Sequence, residues 1–346
     1  MINVSSASSI RISGNSGNGN GNGNGEYSLI CGGNGNENYC GWLIDYDGVV
    51  YQNLLAGYQD TSYASVVCPS DGKFYITQND VLLKFNADGT PDASWEVGAV
   101  NFGTMILDLA LDADENIYVV NSRPGVATAG DTIWKLDSDG EVIWSNRSHN
   151  YSRATISVVV HTDGFVYVAT NKFTGSAYEG LKLNPANGAI VTTYGALKAM
   201  YVAVDNFGAV YLAGEHRIYR YPNDGLSYVY EDVDNWGNLT NVFVQSGGSF
   251  EDTKVFVTGQ HEATNKSVWK LNYDLTSVVA TYGAHFSYRI TKDIDGDLLV
   301  AGNPQVAGED GFFQIVKLRV SDLSFVQGII FDNEVSLRHV SCQVLE

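Results

Sequence analysis

Ile133-Trp134-Lys135-Leu136-Asp137-Ser138-Asp139-Gly140 decides the fold. An apolar–basic–apolar strand runs into a tight turn, and the phrase keeps returning. It reads Leu82-Leu83-Lys84-Phe85 before Asn86-Ala87-Asp88-Gly89, and Gly180-Leu181-Lys182-Leu183 before a turn ending Asn187-Gly188. It returns at Ile218-Tyr219-Arg220-Tyr221, Val268-Trp269-Lys270-Leu271 and Ile315-Val316-Lys317-Leu318. A degenerate copy, Gly41-Trp42-Leu43-Ile44 before Asp45-Tyr46-Asp47-Gly48, starts the series. Between the third residues of successive copies lie intervals of 41, 51, 47, 38, 50 and 47.

A period in the forties with several strands per repeat marks a β-propeller. The expectation is an all-β, seven-bladed β-propeller over residues 26–346, preceded by a Gly/Asn-rich arm at 1–25. Each full repeat reads as four strands A to D. In the third repeat these fall at 105–111, 117–121, 132–136 and 141–145, with Asp-Ser-Asp-Gly between the last two. The first repeat lacks a strand A, and residues 336–346 look like a strand A with nothing after it. A ring closed by the C-terminal strand completing the N-terminal blade follows, with Glu346 near Glu26. Such closure leaves no open edge between first and last blades. The A–B and C–D turns then share one face, where Asn, Asp and Gly tolerate left-handed backbone angles. The longer B–C and D–A loops share the other, where binding residues concentrate on a rigid scaffold.

Trp134-Lys135-Leu136-Asp137-Ser138-Asp139-Gly140-Glu141-Val142-Ile143-Trp144 resembles repeats of the PQQ-like and NHL-like propeller families. The resemblance implies the fold and leaves function open, because one fold hosts many sites. No Trp-Asp dipeptide or Gly-His pair of the WD type is present, nor any run of Gly-Lys tryptophan-docking motifs, and no cofactor-site acid can be carried over from the quinoenzymes, so no cofactor is expected. An acidic, Asn/Gly-rich propeller with a Gly-Asn arm is similar to structural proteins of tailed bacteriophages. That similarity implies a virion protein with protein partners in a larger assembly.

The 39 acidic and 20 basic residues give a net charge of −19. That disfavours direct nucleic-acid binding, which needs clustered Lys and Arg. No apolar run reaches transmembrane length, so no membrane insertion is expected. The segment Met1–Ser9 lacks the basic start and apolar core of a signal peptide, so the alternative to the virion is the cytoplasm. Among four cysteines, Cys31 and Cys40 would flank one hairpin loop, leaving either a bridge or free, partly buried thiols.

Candidate sites compete with plain structural roles. Asp293-Ile294-Asp295-Gly296-Asp297 opens like a calcium loop, but Pro304 stands where the closing carboxylate belongs. Turn chemistry explains these acids, and no metal is expected. His149, His216, His261 and His285 fall on the long-loop face, and their convergence would make a His-dependent lyase or hydrolase. Without a paired nucleophile or acid, no catalytic residue is expected. Trp95, Tyr151, Tyr178 and Trp236 lie in or beside variable loops, where aromatics stack on glycans or anchor partners; a carbohydrate-binding propeller is the third reading. In the arm, Ile2, Val4, Ile10 and Ile12 alternate as in a strand that adds to a partner's sheet edge. The Gly-Asn run at 14–25 has nothing to offset the entropy of ordering. The reading is therefore a non-enzymatic structural or binding propeller, docked by its arm and presenting loops on the opposite face.

Overall fold

Short alternating runs of Val, Ile, Tyr and Thr, cut by Asp-Gly and Asn-Gly turns, favour half-buried strands. The computed structural model bears this out over the residues it describes: 11–13, 27–34, 41–45, 50–54, 62–95, 102–122, 131–146, 152–172, 178–195, 199–214, 216–222, 228–231, 239–260, 266–283, 285–293, 295–304, 315–330 and 336–344. Every regular element among them is a strand.

In chain order, β1 (Arg11–Ser13) precedes β2 (Tyr27–Asn34), β3 (Gly41–Asp45) and β4 (Val50–Asn53). A second set is β5 (Ser65–Val67), β6 (Phe74–Gln78) and β7 (Val81–Phe85). The third is β8 (Ile106–Leu111), β9 (Ile117–Asn121), β10 (Ile133–Leu136) and β11 (Val142–Asn146). The fourth is β12 (Ser152–Val160), β13 (Val166–Lys172), β14 (Tyr178–Leu183) and β15 (Ile190–Gly195). The fifth is β16 (Ala199–Val204), β17 (Val210–Gly214), β18 (Arg217–Tyr221) and β19 (Tyr228–Glu231). The sixth is β20 (Leu239–Gln245), β21 (Lys254–Gly259), β22 (Lys266–Asn272) and β23 (Val278–Gly283). The last is β24 (His285–Lys292), β25 (Leu298–Pro304), β26 (Ile315–Leu318) and β27 (Phe325–Ile330), after which comes β28 (Ser336–Val344). Within each set, successive strands pair antiparallel.

The ring closes as the sequence implied. β28 pairs with β2, from Tyr27 opposite Val344 to Asn34 opposite Ser336, giving the order β28-β2-β3-β4. Glu26 and Glu346 themselves lie outside the described residues. The innermost strands β28, β5, β8, β12, β16, β20 and β24 touch in that order, and β24 returns to β28.

Seven four-stranded blades are not what forms. Six sheets carry four strands or more, while β5–β7 is three-stranded among the described residues. Its outer strand is reduced to an isolated bridge between Phe85 and Pro91. Proline has no N–H to continue a ladder, and the chain then turns inward so that Trp95 is buried.

The core lies between sheets. In β9, Ile117 and Val119 pack with Tyr75 and Leu82 of the preceding sheet, whereas Tyr118 and Val120 pack with Val158, Val166 and Val168 of the following one. Each such fully buried side chain contributes about 1.5–3 kcal/mol. Both faces of a central strand are thus committed, which fixes its register.

In three repeats the basic residue is an interblade clamp on the tight-turn face, whereas Lys182 and Lys317 pair with carboxylates of their own sheets. Lys84 Nζ donates to Ser138 O at 2.9 Å, in the next sheet's turn. Lys135 Nζ reaches Pro185 O at 3.5 Å and pairs with Asp112 at 3.0 Å. Lys270 Nζ donates to Val320 O at 2.8 Å and Ser321 O at 2.6 Å. Burial lowers the Lys270 pKa from its ordinary value, as expected for an ammonium facing carbonyls rather than carboxylates. Tryptophans add a second lock. A Cβ placed on Gly140 would sit 2.7 Å from the Trp95 indole, and one on Gly188 2.7 Å from that of Trp144. Both glycines have φ in the left-handed region, +90° and +69°.

Candidate functional site

Six innermost strands share an irregularity. The register slips by one residue between Ile106 and Asp108, Thr155 and Ser157, Ala199 and Tyr201, Leu239 and Asn241, Ser287 and Arg289, and Leu337 and His339. A bulge bends its strand and re-aims the next side chain. The residue after each bulge is Asp108, Ser157, Tyr201, Asn241, Arg289 or His339; Tyr201 packs against the apolar core between sheets, and the other five are polar and meet at one cavity. From β5, Ser65 faces the same centre. A cavity of about 220 Å³ opens there, walled by Ser65, Asp108, Ser157, Asn241, Arg289 and His339. Val158, Val202, Val242 and Phe243 supply apolar wall between them. These lining residues come from all seven innermost strands, so the cavity lies on the ring axis.

Two polar constructions organise it. Asp108 and Arg289 form an ion pair between β8 and β24, which are not neighbours in the ring, so the pair spans the axis. Asp108 is sealed: its Oδ1 also accepts from Leu109 N at 2.9 Å, its Oδ2 accepts from Val158 N at 3.1 Å, and its side chain is 2% exposed. Arg289 is open by comparison, at 24%. The second construction is His339. Its Nε2 lies 2.8 Å from Ser62 Oγ and its Nδ1 3.0 Å from Ser65 Oγ. Burial, reinforced by the Arg289 charge, pushes its pKa down to about 3. The imidazole is neutral at ordinary pH, with each nitrogen held by a hydroxyl.

The residues singled out from the sequence fall elsewhere. Trp95 does not face the variable loops; it is buried, donates from Nε1 to Leu82 O at 3.0 Å, stacks edge-on with Tyr75 and covers Gly140. An indole wide enough to close an interblade gap gains more there than in water. Tyr178 begins β14, its backbone opposite Asn171. Tyr151 and Trp236 lie outside the described residues, as do His149 and His261. His216 is exposed in the β17–β18 turn with φ +57°, and His285 begins β24 opposite Pro304. The described residues bring none of these four histidines together. In the arm, Ile12 pairs with Ile329 as β1 adds to the outer edge of β27. Ile2, Val4 and Ile10 are outside the described residues. Cys68 is free and buried; Cys40 is not described.

The calcium-like stretch already holds a cation. Lys317 Nζ sits 2.7 Å from Asp293, 2.9 Å from Asp295 and 3.8 Å from Asp297. Among the described residues, no group of three or more His, Cys, Asp or Glu side chains is placed to hold a metal ion.

Radial antiparallel sheets closed into a ring around a polar axis define a β-propeller. Solved structures agree at the level of fold. The chain is similar to a 6-phosphogluconolactonase-like protein from Bacteroides fragilis, with a TM-score of 0.64 at 13% identity over 93% of this chain and 99% of that one. It is similar to a catalytically inactive His-to-Ala variant of virginiamycin B lyase from Staphylococcus aureus, crystallised with quinupristin, with a TM-score of 0.59 at 14% identity over 84% and 97%. The WD40 propeller domain of Doa1 gives 0.59 at 13% identity over 80% and 83%. No family model and no curated protein matches the chain.

Proposed function

We propose that this protein is a non-enzymatic binding propeller whose ligand enters the axial cavity from the long-loop face. The polar ring carries the proposal. Five strands each place a polar side chain on the cavity wall directly after a bulge: Asp108, Ser157, Asn241, Arg289 and His339. The ring lies in the first half of β8, β20 and β28 and just past the middle of β12 and β24. His339 supports binding over catalysis, because both its nitrogens are held by serine hydroxyls and its low pKa makes it a weak base that carries no extra proton to give at neutral pH. The same reading takes β5–β7 as a seventh, abbreviated blade, since β5 lies between β28 and β8 at the axis.

A role in a larger assembly, such as a virion, remains the second half of the proposal. Residues 11–13 are committed to the chain's own β27, so docking to a partner falls to residues 1–10. The test of the ligand site is equilibrium dialysis against a defined mixture of small metabolites, read by mass spectrometry. The wild type should retain a component that Val202→Trp, which fills the cavity, releases. Equal retention by both proteins would move the site off the axis.

A further inference from the structure

We infer that the axial cavity binds a small molecule through a carboxylate, with Arg289 as the receiving group. This rests on the axial-binding reading above and names its ligand class. Two charges of opposite sign line the cavity, but only one is available. Asp108 is sealed, with both oxygens engaged by Arg289, Leu109 N and Val158 N. Arg289 contacts Asp108 through one terminal nitrogen and is the more exposed partner. A guanidinium carries five N–H donors in a planar fork suited to a carboxylate, so Asp108 fixes the fork while the other donors face the cavity.

The surroundings point the same way. The neighbouring Asn241 side chain has no hydrogen bond among the described residues, although it lines the cavity and is largely buried. A second cation lies next in sequence to His339. Arg338, on the bulge before His339, stacks its guanidinium 4.1 Å from the Tyr288 ring centre, and its Nε is buried without a partner among the described residues. His339 is neutral. Within a chain of net charge −19, the cavity thus presents a guanidinium while the carboxylate on its wall is already engaged. A cavity of about 220 Å³ has the bulk volume of roughly seven waters, which suits a small organic acid.

The experiment is a methyl NMR titration of the full chain, with Val158, Val202, Val242 and Val340 as axial reporters. The probes are propionate and glutarate, their amides propionamide and glutaramide, and propylamine. The acids should shift the axial methyls at millimolar concentration, and the amides and amine should bind at least tenfold more weakly. Arg289→Gln should weaken propionate binding tenfold or more. Should that variant unfold because Asp108 is stranded, Asp108→Asn/Arg289→Gln removes both charges and must show the same loss. Amides or amine binding the axis as well as the acids would overturn the carboxylate assignment and leave the axial site standing. Failure of every probe to shift an axial methyl would overturn both.

Discussion

Removing either partner of the axial ion pair should destabilise the protein, and the two losses should be unequal. Arg289→Met strands the Asp108 carboxylate, whose side chain is only 2% exposed. Breaking a buried pair by removing one partner costs about 3–5 kcal/mol, and the sealed site puts this variant near about 4 kcal/mol. Asp108→Asn strands a guanidinium that is 24% exposed. Water from the cavity can reach it, and the amide oxygen still accepts a hydrogen bond, so about 2 kcal/mol is expected. The double variant Asp108→Asn/Arg289→Met leaves no uncompensated charge and should lose only about 1–2 kcal/mol, because a buried pair replaced as a unit is often near neutral. The coupling between the sites is then about 4–5 kcal/mol. Urea denaturation followed by tryptophan fluorescence and by circular dichroism measures all four corners of the cycle. Equal losses from the two single variants, or a coupling below about 1 kcal/mol, would refute the account of a sealed carboxylate facing an open cation.

Gly140→Ala and Gly188→Ala should each cost about 2–4 kcal/mol, combining a left-handed backbone with a methyl driven into an indole; urea midpoints unchanged within error would remove the interblade lock. Lys270→Met should be tolerated better than Lys317→Met, since the first replaces an ammonium facing carbonyls while the second leaves the buried Asp293 carboxylate without its cation; thermal melts of the pair check the order. Acid should weaken the fold before the carboxylates titrate. His339 has a folded pKa below its unfolded one, so the unfolded chain binds more protons and stability falls as pH drops below about 6.5, by about 2 kcal/mol at pH 5. His339→Gln should flatten that slope between pH 6.5 and 4, and an unchanged slope would place the titration elsewhere. Deleting residues 336–346 removes β28 from its ladder with β2 and should abolish cooperative melting; a truncated chain melting like the full one would show that the ring does not depend on this closure.

The fold was legible because its information is repeated. The Lys-containing phrase recurs at a spacing only a multi-strand unit fits, and the missing first strand A matched the surplus strand at the C-terminus. The abbreviated second sheet was signalled less plainly. Pro91, two residues past the Asn-Ala-Asp-Gly turn, was the mark of a strand that could not form, yet the repeat around it suggested otherwise. The site was nearly invisible. Asp108, Asn241, Arg289 and His339 belong to no motif and lie far apart in the chain. What unites them is their column in the repeat: Leu107-Asp108-Leu109, Thr240-Asn241-Val242, Tyr288-Arg289-Ile290 and Arg338-His339-Val340 each put a polar residue into strand A. Each reads as noise singly and as part of a ring once the blades are superposed. Aromatic residues misled in the other direction. Trp95 follows a turn and precedes a variable stretch, so it looked like a loop anchor, whereas its size suits it to the seam between blades.

A crystal structure of the full chain soaked in the same small acids, amides and amine tests the central claim most directly. The account predicts a bound acid on the ring axis, its carboxylate within hydrogen-bond distance of Arg289, with Asp108 still paired behind it. Acids bound only on the tight-turn face or the outer rim, with the axis holding water alone, would contradict it.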